Sequence, residues 1–209
     1  MPQVIWYFDF VSPYSYFALN LLDGHLNGTQ IEYRPVLLAG LLNHFGQKGP
    51  AEIEPKRKWT YRACLWYARR HRIPFRMPAA HPFNSLPYLR LAIAANASPS
   101  AIKSIFRALW TTGANAADPT LLTHLAGELG VPQALLSEAR IKDALRDNTD
   151  NAIQRGVFGV PTLSVDEEVF WGSDAIDFAA AYLDDPCILD SSMRAADALP
   201  IGAARKLSP

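Results

Sequence analysis

Residues 4–18, VIWYFDFVSPYSYFA, run from an alternating aromatic and β-branched stretch straight into Ser-Pro-Tyr-Ser and then into a helical apolar period. Residues 4–10 read as a strand. Residues 12–26 keep Tyr16, Phe17, Leu19, Leu22 and Leu26 on one helical face and end in the breaker-rich GHLNGTQ, and IEYRPV at 31–36 reads as a second strand. Such a strand-helix-strand opening places two parallel neighbours in one sheet with a right-handed connection. Local chemistry accounts for the junction. The Ser12 oxygen can cap the helix by accepting from an amide two or three residues on, and Pro13 removes an N–H that the first turn leaves unpaired anyway.

From about 39 to 151 strand signals nearly vanish, and helical ones recur in AGLLNHF, PKRKWTYRACLWYARRH, LPYLRLAIAANA, SAIKSIFRALWTT, PTLLTHLAGELG and SEARIKDALRDNTDNAIQRG. Pro55 and Pro119 stand where first-turn prolines belong, and Gly130 and Gly156 where helix-ending glycines belong. Strand character returns in PTLSV and EVFW around the acidic DEE, followed by an amphipathic helix over 173–183. The order β-α-β, helices, β-β-α predicts an α/β fold: a thioredoxin-like sheet with a large all-helical insertion. The expected division is 1–38 and 152–185 for the thioredoxin-like domain, 39–151 for the inserted helices, and 186–209 for a weakly periodic C-terminal tail.

Twenty Lys and Arg balance twenty Asp and Glu in 209 residues, so no net field favours nucleic acid or an acidic membrane, and a small-molecule partner is expected. The N-terminus lacks a basic leader, and no run of 18 apolar residues occurs, so neither secretion nor membrane insertion is expected. Cys64 and Cys187 form no CxxC and no metal spacing; both are expected to be buried, inert thiols in a reducing compartment. The histidines His25, His44, His71, His81 and His124 are scattered without metal spacing and are expected at the surface or in the core. Tyr88 and Trp110 have the spacing of core residues.

A helix N-terminus carries unpaired N–H donors and partial positive charge, and so favours an anion beside it. In a thioredoxin-like fold this is where the redox pair CxxC sits; here the four residues are Ser12, Pro13, Tyr14 and Ser15. A hydroxyl does not exchange disulfides, but it can donate a hydrogen bond to a thiolate that arrives on another molecule. In GVFGVPT, a cis bond before Pro161 would turn the Val160 backbone toward that helix start, where it could pair with a peptide-like ligand. Asp9, inside the first strand, is expected either to be buried with a partner or to orient the Ser12 turn.

Together, YFDFVSPYSYFA, FGQKGPAEIEPK, IPF…HPFNSLP and GVFGVPT…FWGSDAIDF resemble the glutathione-dependent 2-hydroxychromene-2-carboxylate isomerases, relatives of the kappa-class glutathione transferases, over roughly 4–183. The resemblance implies glutathione as cofactor and an aromatic small-molecule substrate. It implies that Ser12 holds the glutathione sulfur as thiolate, with Gln47 where kappa-class proteins carry asparagine and Lys56 meeting a ligand carboxylate. Val160 would pair through its backbone with the cysteinyl unit, and Trp171, Gly172, Ser173 and Asp174 would form the glutamyl-binding turn. Asn84, in HPFNSLP, would lie near the second substrate. A cytoplasmic homodimer is implied as well. Two other functions fit the same residues: a kappa-class-like glutathione transferase, and a non-catalytic thioredoxin-like binding module. A disulfide oxidoreductase is disfavoured, since neither cysteine is near Ser12 in sequence.

Overall fold

β1 (Val4–Phe8) is buried along its whole length, and its alternation decides what covers each face. Val4, Trp6 and Phe8 enter the main core, where Trp6 stacks on Phe8 at 4.5 Å and Phe106 packs against both; Ile5 and Tyr7 enter a second cluster with Val36, Leu41, Ala152 and Val157. A strand covered on both faces must sit in the sheet interior. In this computed structural model, which describes residues 2–203, the sheet order is β2-β1-β3-β4. β1 runs parallel to β2 (Ile31–Pro35), as the opening unit predicts, and antiparallel to β3 (Thr162–Val165), which pairs antiparallel with β4 (Glu168–Trp171). The expected thioredoxin-like sheet with helical insertion is therefore present.

α1 (Pro13–His25) connects β1 to β2. Between β2 and β3 come α2 (Leu38–His44), α3 (Glu54–His71), α4 (Leu86–Ala94), α5 (Pro99–Thr111), α6 (Pro119–Glu128) and α7 (Ala139–Gln154). Gly130 and Gly156 follow the caps of α6 and α7 with φ of +64° and +77°, the left-handed positions predicted for them. Tyr88 and Trp110 are both fully buried, and the Trp110 indole donates to the Phe10 carbonyl at 2.9 Å, which fastens α5 to the end of β1.

Three details depart from the sequence pattern. β1 stops at Phe8 rather than residue 10, because Asp9 turns the chain: its carboxylate accepts from Val11 N–H and its carbonyl from Ser12 N–H. The last predicted helix opens as a 3-10 turn, Ser173–Ala175, before α8 (Ile176–Asp184). Beyond it α9 (Ser191–Asp197) forms on a local cap, with Asp190 accepting from Ser192 and Met193 amides. Cys187 is exposed, not buried: it lies in a short turn capped by Asp185, outside the core. Residues 204–209 of the expected tail lie outside the described residues.

Candidate active site

Ser12 is the N-cap of α1 and is 5% exposed. Its Oγ accepts from Ser15 N–H at 3.2 Å, and its own hydrogen faces the Val160 carbonyl at 3.5 Å. The first bond satisfies one free amide of the helix start; the second is long, so the hydroxyl hydrogen is weakly committed and free to turn to a stronger acceptor. Ser15, at the position of the second cysteine of a redox pair, is fully buried and its hydroxyl has no partner.

The Val160–Pro161 bond is cis, and Val160 brings its carbonyl to Ser12. The Pro161 carbonyl accepts from Gly172 N–H at 2.9 Å, which draws the end of β4 alongside. Trp171, exposed, packs on Phe158 at 5.0 Å, and its indole lies so close over Gly159 that a Cβ there would sit 2.8 Å from Nε1. Ser173 and Asp174 make no side-chain cap for α8, whose N-cap is Ala175, so a capping role does not explain these two polar residues. Gly172 has φ +110° and ψ 158°, a region essentially reserved for glycine, and an added Cβ would collide with the Asp174 carboxylate. Gly172→Ala is expected to lose about 1–3 kcal/mol in chemical denaturation. Gly24→Ala, in α1 with open space around it, serves as the control and should be neutral or stabilising.

A cavity of about 130 Å³ lies between α1, α3 and the turn before α8, lined by Tyr14, Phe17, Ala63, Cys64, Trp66, Tyr67 and Ser173. Burial raises the Tyr14 hydroxyl above its ordinary value, with the neighbouring Cys64 and the Asp174 carboxylate acting in the same direction. Burial pushes the Cys64 thiol up to about 12, which leaves it protonated and inert. Ser12, Val160, Trp171, Gly172, Ser173 and Asp174 are thus gathered around the start of α1. Gln47 and Lys56 are exposed, in the turn after α2 and the first turn of α3. In that turn Lys58 pairs with Glu54 at 2.7 Å and Arg57 donates to the Ala51 carbonyl at 3.1 Å; among the described residues the Lys56 ammonium has no such partner. Asn84 is exposed, and its side-chain oxygen accepts from Leu86 N–H at 3.1 Å at the start of α4.

Two residues brace the Ser12 turn: Asp9, which the sequence marks as a charge within an apolar strand, and His81, which it does not mark. Asp9, 1% exposed, accepts from Val11 N–H at 3.0 Å and Leu38 N–H at 2.8 Å, and hydrogen-bonds the Ser85 hydroxyl; it is both buried with partners and an organiser of the turn. His81 Nε2 lies 2.8 Å from the Val11 carbonyl, and its Nδ1 lies 2.8 Å from the Tyr61 hydroxyl. A carbonyl only accepts, so Nε2 carries the hydrogen. Burial lowers the His81 pKa below its ordinary 6.5, partly offset by the bond to Val11. The unfolded chain therefore binds the proton more readily than the folded one, and stability falls as pH drops through 6.5 toward the lowered folded value. An NMR titration of the ring should find its midpoint under 6.5, and a midpoint above that value would reverse the sign.

The geometry defines a class: a thioredoxin fold in which a serine, not a cysteine, caps the helix that follows β1. The chain belongs to the DSBA-like thioredoxin domain family, whose profile matches residues 3–184. It is 31% identical over 189 residues to a 2-hydroxychromene-2-carboxylate isomerase of Sphingobium xenophagum, covering 86% of this chain and 97% of that one. Glutathione s-transferase kappa 2 of Caenorhabditis elegans is 27% identical over 207 residues, with coverage of 88% and 92%. A solved 2-hydroxychromene-2-carboxylate isomerase superposes with a TM-score of 0.76 at 25% identity, covering 95% of this chain and all of that one. Among the described residues, no helix is long and apolar enough to cross a membrane, and no group of three or more His, Cys, Asp or Glu is placed to hold a metal.

Proposed function

We propose that this chain is a glutathione-dependent isomerase acting on 2-hydroxychromene-2-carboxylate-type substrates to give trans-hydroxybenzylidenepyruvate-type products. The carrying observation is the Ser12 hydroxyl, capping α1 while only loosely engaged at 3.5 Å with the Val160 carbonyl. Bound glutathione supplies a sulfur nucleophile that adds reversibly to the conjugated carbons of the substrate and so frees a double bond to rotate. The chain's own residues do the rest. Ser12 donates to the sulfur anion, and the open amides of α1 favour its charge. A thiol pKa lowered by about two units corresponds to ~2.7 kcal/mol, a reasonable load for one hydroxyl and one helix end.

The other polar groups suit a tripeptide with two carboxylates and one ammonium. The Val160 backbone pairs with the cysteinyl unit once Ser12 turns away. Ser173 and Asp174, released from any capping duty, face the glutamyl end, with Gly172 giving the turn its shape and Trp171 covering it. Lys56, the unpaired cation of its turn, meets a carboxylate, and Gln47 supports that end. Trp66 and Tyr67 give the cavity an aromatic wall, and Asn84 lies on the loop assigned to the second substrate. Unpaired Cys64 and Cys187 are consistent with a reducing, cytoplasmic setting.

The kappa-class relative supports a second reading, in which the same sulfur stays joined to an electrophile. The two diverge in glutathione balance. With substrate in large excess, an isomerase leaves the glutathione concentration unchanged while a transferase consumes it mole for mole. Ser12→Cys probes the site directly: under mild oxidation with glutathione disulfide it should gain the mass of one glutathione at position 12. A clean absence of that adduct removes Ser12 from the sulfur site, as does a calorimetric titration of the parent chain showing no binding at millimolar glutathione, the result expected of a non-catalytic module.

A further inference from the structure

The peptide unit joining Val11 to Ser12 is held at both ends. Its N–H donates to the Asp9 carbonyl at 3.1 Å, and its C=O accepts from His81 Nε2 at 2.8 Å. His81 belongs to the loop before α4, 70 residues away, and is itself held: the Tyr61 hydroxyl on α3 lies 2.8 Å from Nδ1 and 2.7 Å from the His81 carbonyl, two acceptors that share its single hydrogen. Its aromatic neighbours are Trp110, tilted at 5.5 Å, and Tyr61, edge-on at 5.3 Å. A ring bonded through Nε2, set against the Tyr61 hydroxyl at Nδ1 and ringed by aromatic side chains is held in this orientation.

We propose that His81, held by Tyr61, is a positioning residue that fixes the peptide plane ahead of Ser12 and so aims the Ser12 hydroxyl. The plane sets φ of Ser12, observed at −88° with ψ 116°, and those angles carry Oγ to the Ser15 amide and the Val160 carbonyl. Were the Val11 carbonyl released, the plane could rotate and Oγ would leave the open end of α1. His81 reaches Ser12 through its bond to the Val11 carbonyl, and so acts through the backbone. The same link joins the Ser12 turn to α3, which carries Cys64 and Trp66 of the cavity wall. Its consequence for turnover rests on the isomerase reading above; its structural content does not.

Ser12→Cys supplies a probe that needs no ligand. The pKa of the thiol at position 12 is read from ultraviolet thiolate absorbance as a difference from the parent chain, so that Cys64 and Cys187 cancel. Adding His81→Leu should raise that pKa by about one unit, a tenfold loss of thiolate at a given pH. Adding His81→Gln, whose amide N–H reaches the same carbonyl, should hold it to within about 0.3 unit of the parent. Tyr61→Phe, which keeps the ring and removes the hydroxyl, should give an intermediate rise. With Ser12 restored, His81→Leu should lower kcat about tenfold and leave KM for glutathione within about twofold. An unchanged thiol pKa in folded His81→Leu overturns the proposal, as does an equal rise in the leucine and glutamine variants. If His81→Leu does not fold, a Tyr61→Phe titration identical to the parent's overturns it instead. A shifted thiol pKa in a protein that turns over no isomerase substrate upholds His81 and sinks the isomerase reading; the two therefore fail separately.

Discussion

Ser12→Ala is expected to lower turnover by a factor of about 10²–10³, the usual effect of removing one donor aimed at a developing or resident anion. Under the proposed reading glutathione affinity should change only a few-fold, because the other groups assigned to it there, the Val160 backbone, Lys56 and the Ser173–Asp174 turn, remain. The variant also loses its helix cap, and with it about 1 kcal/mol. Ser15→Ala separates capping from general loss of a hydroxyl: the Ser15 oxygen is buried without a partner, so its removal should leave stability equal or higher by a few tenths of a kcal/mol. Calorimetric binding, steady-state kinetics and denaturation on both variants supply the comparison. If Ser12→Ala keeps full turnover, the hydroxyl is only a cap.

The largest loss of stability is expected at Asp9. Asp9→Ala takes away the buried acceptor of the part-buried Val11 and Leu38 amides and of the Ser85 hydroxyl. At about 1–3 kcal/mol for each unsatisfied donor, less what is regained by no longer burying a carboxylate, the net is about 3–5 kcal/mol, a large part of a domain's total. Asp9→Asn is milder, since one oxygen still accepts. Burial pushes the Asp9 carboxyl above its ordinary 3.8, against the hydrogen bonds from Ser85, Val11 and Leu38. The folded state therefore holds this proton more tightly than the unfolded one. The stability this contributes is full below 3.8 and is lost as pH rises through the raised folded value, so the gap between the parent and Asp9→Asn should widen on acidification. Urea melts at several pH values measure that gap, and a gap that narrows toward acid contradicts the sign.

What the sequence made legible follows the range of the interactions involved. The Ser12 cap and the parallel β1–β2 pair rest on contacts close in sequence, which periodicity and turn chemistry report. The insertion showed as a loss of strand signal, and β3–β4 as its return after Gly156. The approach of Val160 to Ser12 spans 148 residues, and the sequence offered it only on the condition of a cis bond before Pro161, which Val-Pro permits but does not require. His81 and Tyr61 have no such signature: a histidine before proline and a tyrosine within a helix look the same whether or not they meet at Val11. Asp9 stood out as a charge at the end of an apolar strand, but nothing nearby named Leu38 or Ser85 as its partners. Cys187 was misplaced because thiols are usually buried, a preference that a short solvent-facing turn capped by Asp185 overrides.

The thiol in the cavity wall has a consequence for durability. With Cys64 pushed up to about 12, roughly one molecule in 10⁵ carries it ionised at neutral pH, so it is a very poor attacker of any disulfide. A redox thioredoxin is covalently captured by its partners as part of its cycle. Here the two sulfurs nearest the chemistry would be the cofactor's anion and a silent Cys64, and oxidised glutathione finds nothing in the wall to seize. Glutathionylation would then be turned away from the cavity and confined to the exposed Cys187, outside the core.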